Sequence, residues 1–168
     1  MSVLAADVKR VSVGIGQIAI TCDPSSVLIA YGLGSCVGVS AYDPGTRVAG
    51  MVHVLLPQSD GRGTNPKEPA RFADTGIDLL IAEMAKLGAP KRRLLIKIAG
   101  GAAVLGVANA ERFKIGERNV EAIKDRLKSH GLWPAAEDTG GNKGRTLELR
   151  PDSGKTFVRA AASPAIEL

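Results

Sequence analysis

The stretch Cys36–Leu56, CVGVSAYDPGTRVAGMVHVLL, predicts two antiparallel strands joined by a turn and thereby decides the fold class. Small and β-branched residues follow one another along Val37–Tyr42 and again along Arg47–Leu56, as in buried sheet strands. Between them, Asp43–Thr46 has proline and glycine at its centre, which is typical of a turn. The sequence therefore places a hairpin in the middle of a sheet.

The register of this hairpin brings two reactive side chains together. A turn symmetric about its centre pairs Asp43 with Thr46, and the same register pairs Cys36 with His53. Directly opposed residues have Cβ atoms about 4.5–5.5 Å apart, so a thiol and an imidazole there can act as a nucleophile and its base. Because Pro-Gly suits a type II turn better than the primed turns of two-residue hairpins, a bulge that shifts the pairing stays open.

The same register separates the side chains of the hairpin into two faces. Cys36 and His53 share one face, and a shift by a single residue would mix the two sets. The opposite face is entirely small and aliphatic, and comprises Val37, Val39, Ala41, Val48, Gly50 and Val52.

Other interpretations of the reactive residues stay open at this point. A buried, inert cysteine is the common fate of a free thiol. Against it, Cys36 follows the bend Gly32–Ser35, where free backbone N–H groups could stabilise an oxyanion. We interpret Cys22 as a small apolar residue and His130 as a structural residue near a helix end. Two histidines and two cysteines without ligand spacing predict no metal site and no cofactor.

Composition bounds the class of protein. The 168 residues are 45% hydrophobic and 23% charged, as expected for a globular domain, and only 4% aromatic, so the core must be aliphatic. No apolar run approaches the ~20 residues that span a bilayer, and Met1–Arg10 lacks the apolar segment of a signal peptide. We therefore expect a cytoplasmic protein without membrane insertion, with both cysteines reduced.

The net charge of +5 is mild. Basic residues gather at Lys91–Arg93 and at Lys143, Arg145 and Arg150, which indicates a solvated basic surface or steering towards an acidic partner. No nucleic-acid-binding motif is present, so we expect no nucleic acid partner.

Strands and helices alternate along the rest of the chain. Helical spacing of apolar residues predicts helices over Arg71–Leu87 and Gly116–Ser129, and the polar Gln58–Glu68 predicts a loop. We predict a single α/β domain over 1–168, structured over about 11–160, with a largely antiparallel sheet core and two main helices packed on it. The remaining predicted strands are Val11–Ile20, Val27–Tyr31, Leu94–Ala99, Leu132–Glu137, Arg145–Arg150 and Lys155–Ala160.

Six short motifs, in order and spread from about Val11 to Arg159, resemble the CheD family of chemoreceptor glutamine deamidases. The resemblance implies a sandwich like that of bacterial toxin deamidases, with Cys36 as nucleophile and His53 as base. The matching stretches are Gly32–Val37, Val52–Pro57, Phe72–Thr75, Lys97–Ala102, Ile115–Asn119 and Glu137–Asn142.

One position departs from the family pattern. The resemblance implies a threonine as third member of the site where this chain has Ala30, which cannot orient an imidazole by hydrogen bonding. The neighbouring Tyr31 and Ser35 are candidates to replace it. Backbone amides near Gly34 and Ser35 are candidate oxyanion donors.

The implied activity is hydrolysis of glutamine side chains to glutamate on the cytoplasmic helices of chemoreceptors, through a cysteine thioester. A second reading is a weakly active or non-catalytic adaptor that binds a CheC-type chemotaxis phosphatase, another partner that the resemblance implies. A third is a cysteine peptidase using the same pair of residues.

Overall fold

The computed structural model describes residues 7–103 and 110–168, so residues 1–6 of the N-terminal stretch considered above lie outside it. The described part contains two five-stranded sheets and two α-helices, with a turn of 3₁₀ helix at Lys91–Arg93. The elements are β1 (Lys9–Ser12), β2 (Ile18–Thr21), β3 (Ser26–Leu33), β4 (Val37–Tyr42), β5 (Ala49–Val54), α1 (Ala73–Lys86), β6 (Leu95–Gly100), α2 (Ala110–Ser129), β7 (Pro134–Thr139), β8 (Arg145–Leu149), β9 (Thr156–Ala160) and β10 (Ile166–Glu167).

The elements form three layers. The first sheet has the order β1-β3-β8-β9-β10, and the second has the order β2-β5-β4-β6-β7. One core lies between the two sheets, and another lies between the second sheet and the helices. Among the described strands, β1–β3 and β6–β7 pair in parallel and the other pairs are antiparallel. The predicted α/β sandwich with a largely antiparallel core and two main helices is confirmed.

The central strand β4 is buried on both faces because its side chains supply both cores. Val37, Val39 and Ala41 pack towards the helices, where they meet residues such as Ile77 of α1 and Ile123 of α2. Tyr42 lies in the core between the sheets, in the same group as Cys36. The predicted separation of the two faces is therefore confirmed.

The predicted register of the hairpin is wrong by two residues. His53 lies opposite Gly38, not Cys36. The connection has four residues, Pro44–Arg47, because the Asp43 N–H donates to the Val48 carbonyl at 3.0 Å and Arg47 takes a positive φ of 61°. A shift by two keeps every side chain on its predicted face.

The predicted strand Val11–Ile20 is also wrong, because the chain breaks in its middle. β1 joins the first sheet and β2 joins the second, and a turn over 13–17 connects them. Gly16 has a φ of 76°, and the Gln17 side chain accepts a hydrogen bond from the Gly14 N–H at 3.0 Å. Alternating apolar residues continue through this turn, so periodicity alone conceals it.

The remaining differences lie at element boundaries. Helix α2 begins six residues before the predicted Gly116, and β10 was not predicted. Strands β1 and β10 both extend beyond the predicted structured range of 11–160.

Candidate active site

Cys36 and His53 lie at the same end of the sandwich. Cys36 immediately precedes β4, and His53 is the second-last residue of the antiparallel β5. Both are buried, with 6% and 1% of their surfaces exposed. The ends of β1, β3 and β6 meet here too, because Val13 follows β1, Leu33 ends β3 and hydrogen bonds tie the end of β6 to Cys36.

The two residues are diagonal neighbours on the face that meets the first sheet. Diagonal positions across an antiparallel pair are about 7–8 Å apart, further than the directly opposed positions that the sequence predicted. Among the described residues, no hydrogen bond joins the Cys36 thiol to the imidazole, and the Nε2 atom of His53 is buried without a partner. The structure therefore places both groups in one layer with the imidazole nitrogen unengaged.

His53 is held by the turn between β1 and β2. Its Nδ1 lies 3.0 Å from the Val13 carbonyl oxygen. The His53 N–H donates to the Gln17 carbonyl at 3.1 Å, and the Gly16 N–H donates to the His53 carbonyl at 2.8 Å. Since a carbonyl only accepts, Nδ1 must carry the proton, and in the neutral ring the lone pair is then on Nε2.

Burial sets the protonation states of the pair. It raises the pKa of the Cys36 thiol above its ordinary value of 9.0, while the residue's own backbone N–H acts in the opposite direction. It lowers the pKa of His53 below its ordinary value of 6.5, against the effect of the Val13 hydrogen bond. Both shifts favour a neutral thiol beside a neutral imidazole over a thiolate–imidazolium pair.

The backbone of Cys36 is fixed by the end of β6. The Gly101 N–H donates to the Cys36 carbonyl at 2.9 Å, and the Ala102 N–H donates to the Gly34 carbonyl at 2.8 Å. Gly100 has a φ of 116°, and a Cβ atom there would lie 2.2 Å from the Cys36 carbonyl oxygen. Only glycine fits at this position, so the glycines at the end of β6 allow the close approach that supports the backbone of Cys36.

The candidates for orienting the imidazole occupy other positions. Ala30 is fully buried in the core between the sheets, and Tyr31 is 49% exposed on β3. Ser35 contributes its carbonyl oxygen to a contact with α2. The ring nitrogen of His53 contacts the Val13 carbonyl rather than the hydroxyl of Tyr31 or Ser35.

Sequence reasoning missed two contributors to the site. Val13 acts through its main-chain oxygen, which no residue type reveals. Asn119 of α2 is fully buried, and its amide donates to the carbonyls of Ser35 and Leu55, each at 2.9 Å. A polar residue on the inward face of an amphipathic helix was the available signal for Asn119.

The remaining candidates lie apart from this site. Cys22 is exposed and free, and His130 bonds to Asp78 at 2.7 Å between the two helices. Within 7–103 and 110–168, no three potential ligands cluster as a metal ion requires. None of the helices in those ranges is long and apolar enough to cross a membrane.

Together these features define a two-sheet α/β protein with a cysteine and a histidine buried at one end. The sequence model of the family described as CheD chemotactic sensory transduction matches residues 55–160. The chain belongs to the CheD family.

Named relatives match almost the whole chain. A probable chemoreceptor glutamine deamidase CheD of Lachnoclostridium phytofermentans is 43% identical over 93% of this chain and 96% of its own. The chemoreceptor glutamine deamidase CheD of Thermotoga maritima is 44% identical over 88% of this chain and 89% of its own. Among solved structures, the Bacillus licheniformis hypothetical protein YfiH aligns with 73% of this chain and 49% of its own, at 15% identity. The TM-score of this alignment is 0.40.

Proposed function

We propose that this protein hydrolyses glutamine side chains to glutamate on the cytoplasmic helices of chemoreceptors. The observation that carries the proposal is the imidazole of His53, whose Nδ1 is bound to a carbonyl. Its Nε2 has no partner within the described part of the chain and can accept a proton in the layer that holds Cys36. Its relatives, which are named chemoreceptor glutamine deamidases, supply the class of substrate.

Acylation begins with a neutral pair of groups. Nε2 of His53 takes the thiol proton while the Cys36 sulfur attacks the carboxamide carbon of the substrate. The backbone N–H groups of Ser35 and Cys36 donate to the oxyanion. The Gly34 N–H, which the sequence offered as a further donor, already donates to the Gly32 carbonyl at 3.0 Å. The imidazolium then protonates the departing nitrogen, so that ammonia leaves and a glutamyl thioester remains.

Deacylation repeats these roles with water. Nε2 removes a proton from a water molecule, whose oxygen attacks the thioester carbon. The thiol leaves with the proton from the imidazolium, and the products are a glutamate side chain and free Cys36. The same steps hydrolyse a glutamyl methyl ester, with methanol leaving in place of ammonia.

The expected surroundings agree with this chemistry. Chemoreceptor signalling helices are rich in glutamate and glutamine, and a net charge of +5 favours encounter with an acidic surface. We expect the protein to act in the cytoplasm, where the proposed substrate helices lie, and none of these steps requires a cofactor.

A second candidate function is that of an adaptor for a CheC-type chemotaxis phosphatase. The observation that favours it is Ala30 at the position where the family carries a threonine. In that case the fold would serve binding, and deamidation would be slow or absent.

Mass spectrometry of receptor cytoplasmic fragments separates the two functions. We expect wild-type protein to convert specific glutamines to glutamates, with one heavy oxygen incorporated per site in heavy-oxygen water. Cys36→Ala should abolish conversion, and Cys22→Ala is the matched control because Cys22 is the exposed cysteine. Conversion by Cys36→Ala would remove this thiol from the chemistry. No conversion by the wild type, together with tight phosphatase binding, would favour the adaptor.

A further inference from the structure

We propose that Asn119 is a positioning residue that fixes the nucleophile's turn against the end of the strand carrying the base. The inference rests on the proposed function, and it adds a residue for which neither the hairpin pattern nor the family names supply a role. Asn119 touches neither reacting group. It acts on the main chain next to each of them.

The two β-strands that carry the reactive residues separate at this point. The last paired residues are Val37 and Val54. Beyond them, the N–H groups of Leu55 and Leu56 both donate to the Arg71 carbonyl, at 2.9 and 3.0 Å, so β5 turns away from β4. Without another connection, the segment that holds Cys36 would not be tied to the base-bearing strand beyond the ladder.

The Asn119 amide supplies that connection. Its Nδ2 donates to the Ser35 carbonyl and to the Leu55 carbonyl, each at 2.9 Å. Ser35 is the residue before Cys36, and Leu55 lies two residues after His53. One NH₂ group therefore bridges the segments that contain Ser35 and Leu55, at the point where the hydrogen-bond ladder between β4 and β5 ends.

Close packing of α2 makes this reach possible. A Cβ atom on Gly116 would lie 2.5 Å from the Gly101 carbonyl oxygen, so the helix touches the end of β6 with no side chain between them. Gly101 is the residue whose N–H holds the Cys36 carbonyl. Asn119, one turn further along α2, is thereby brought level with Ser35 and Leu55.

The chemistry of the contact explains the residue type. Two carbonyl oxygens require two N–H donors from one atom, which a primary amide provides and a carboxylate of equal size does not. The other amide atom, Oδ1, is buried without a partner among the described residues. An apolar residue would avoid the cost of the unpartnered oxygen, but it would leave the carbonyls of Ser35 and Leu55 without this donor. The two N–H groups therefore explain why an amide occupies this position.

The test uses Asn119→Asp, which keeps the shape and removes both donors, in a Cys22→Ser background so that Cys36 is the sole thiol. Asn119→Ser, which keeps a single donor, is the second variant should the aspartate fail to fold. Ile123→Val is the matched control, since Ile123 is equally buried one turn along α2 and its aliphatic side chain cannot donate a hydrogen bond to the site's main chain.

The first readout is deamidation kinetics. We expect Asn119→Asp to lower kcat about 10²-fold with KM within about twofold, because misplacement of the reacting groups affects the chemical step rather than binding. Asn119→Ser should fall between Asn119→Asp and the wild type. Ile123→Val should retain the wild-type kcat.

The second readout needs no substrate and therefore stands even if the protein is not a deamidase. Alkylation of Cys36 by iodoacetamide at neutral pH should fall roughly tenfold in Asn119→Asp and in His53→Ala alone, with no further loss when the two are combined. Additive losses, wild-type alkylation in Asn119→Asp, or an equal loss in Ile123→Val would each overturn the positioning role. If wild-type protein fails to deamidate, the proposed function fails, and the double-mutant cycle still decides the role of Asn119.

Discussion

The two ends of β4 differ in whether their buried polar atoms have hydrogen-bond partners. At the Asp43 end, the carboxylate is fully buried, and both of its oxygens are engaged by Gly45, Thr46 and Arg93. At the Cys36 end, Nε2 of His53 and Oδ1 of Asn119 are buried without partners among the described residues. Satisfied burial marks the end that holds the fold together, and unsatisfied burial marks the end that is available for chemistry.

The ionisation of the two ends differs in the same way. The hydrogen bond from Arg93 is the largest influence on Asp43 and holds the pKa of its carboxyl well below the ordinary 3.8. Burial is the largest influence on His53 and lowers its pKa, so the uncharged ring is favoured. One end of the strand is therefore stabilised in its charged form, and at the other end the uncharged form is favoured.

The largest predicted effect is on the rate at the Cys36 end. His53→Ala should lower the deamidation rate about 10²–10⁴-fold, the usual contribution of a general base. Asp43→Asn, at the other end of the same strand, should stay within about threefold of the wild type. The measurement is the initial rate of ammonia release from a receptor fragment. Equal losses of rate in the two variants would contradict the assignment of catalysis to the Cys36 end and of stability to the Asp43 end.

The next effect concerns two pH profiles, that of Cys36 alkylation and that of activity, whose midpoints should differ from the ordinary pKa values of a thiol and an imidazole. Because the pKa of Cys36 is raised, its alkylation in a Cys22→Ser background should rise with a midpoint above pH 9.0, over a smaller His53-dependent plateau at neutral pH. Because the pKa of His53 is lowered and the base must be neutral, activity should fall in acid with a midpoint below pH 6.5. A thiol midpoint below neutrality would indicate a preformed ion pair instead.

A smaller effect concerns stability at the Asp43 end. Asp43→Asn should lower the free energy of unfolding by roughly 1–3 kcal/mol, because charged hydrogen bonds are lost. The folded-state pKa is depressed, so the contribution is present above pH 3.8 and is lost as pH falls through the lower folded value. Denaturant titrations at pH 7 and pH 5 should give the same difference between variant and wild type. A difference that vanishes by pH 5 would argue against this carboxylate as its source.

The smallest expected effect comes from restoring the family's threonine. Ala30→Thr should change kcat by less than about threefold, since the Val13 carbonyl already binds Nδ1 of His53. Ala30→Val is the control, because it adds the same bulk to this fully buried position without a hydroxyl. A large gain in the threonine variant but not in the valine variant would show that the backbone contact is an inadequate substitute.

Much of the fold was predictable because it depends on side-chain pattern. The two faces of the hairpin and the packed stripe of α1 follow from apolar spacing, and burial in the structure matches them. The register was not predictable from the turn residues. It depends on the hydrogen bond from the Asp43 N–H to the Val48 carbonyl and on the positive φ of Arg47. Neither feature can be inferred from the residue types in the turn.

In the candidate site, too, side-chain features could be predicted and main-chain contacts could not. Cys36 and His53 could be proposed from the sequence because the chemistry expected of them is carried by side chains. The contacts that orient them come from the Val13 carbonyl, the Gly101 N–H and an amide on a helix distant in sequence. Main-chain atoms are the same in every residue, so their part in a site becomes visible only when the chain has been folded.

The main-chain hold on His53 has a genetic consequence. A side-chain partner can be lost by one base change, whereas every amino acid at position 13 brings the same carbonyl oxygen. A lineage with this contact can let the neighbouring threonine drift to alanine and still keep its imidazole aligned. The residue at position 30 is then constrained by packing in the core and no longer by the orientation of the imidazole, so its identity does not indicate whether the site is active.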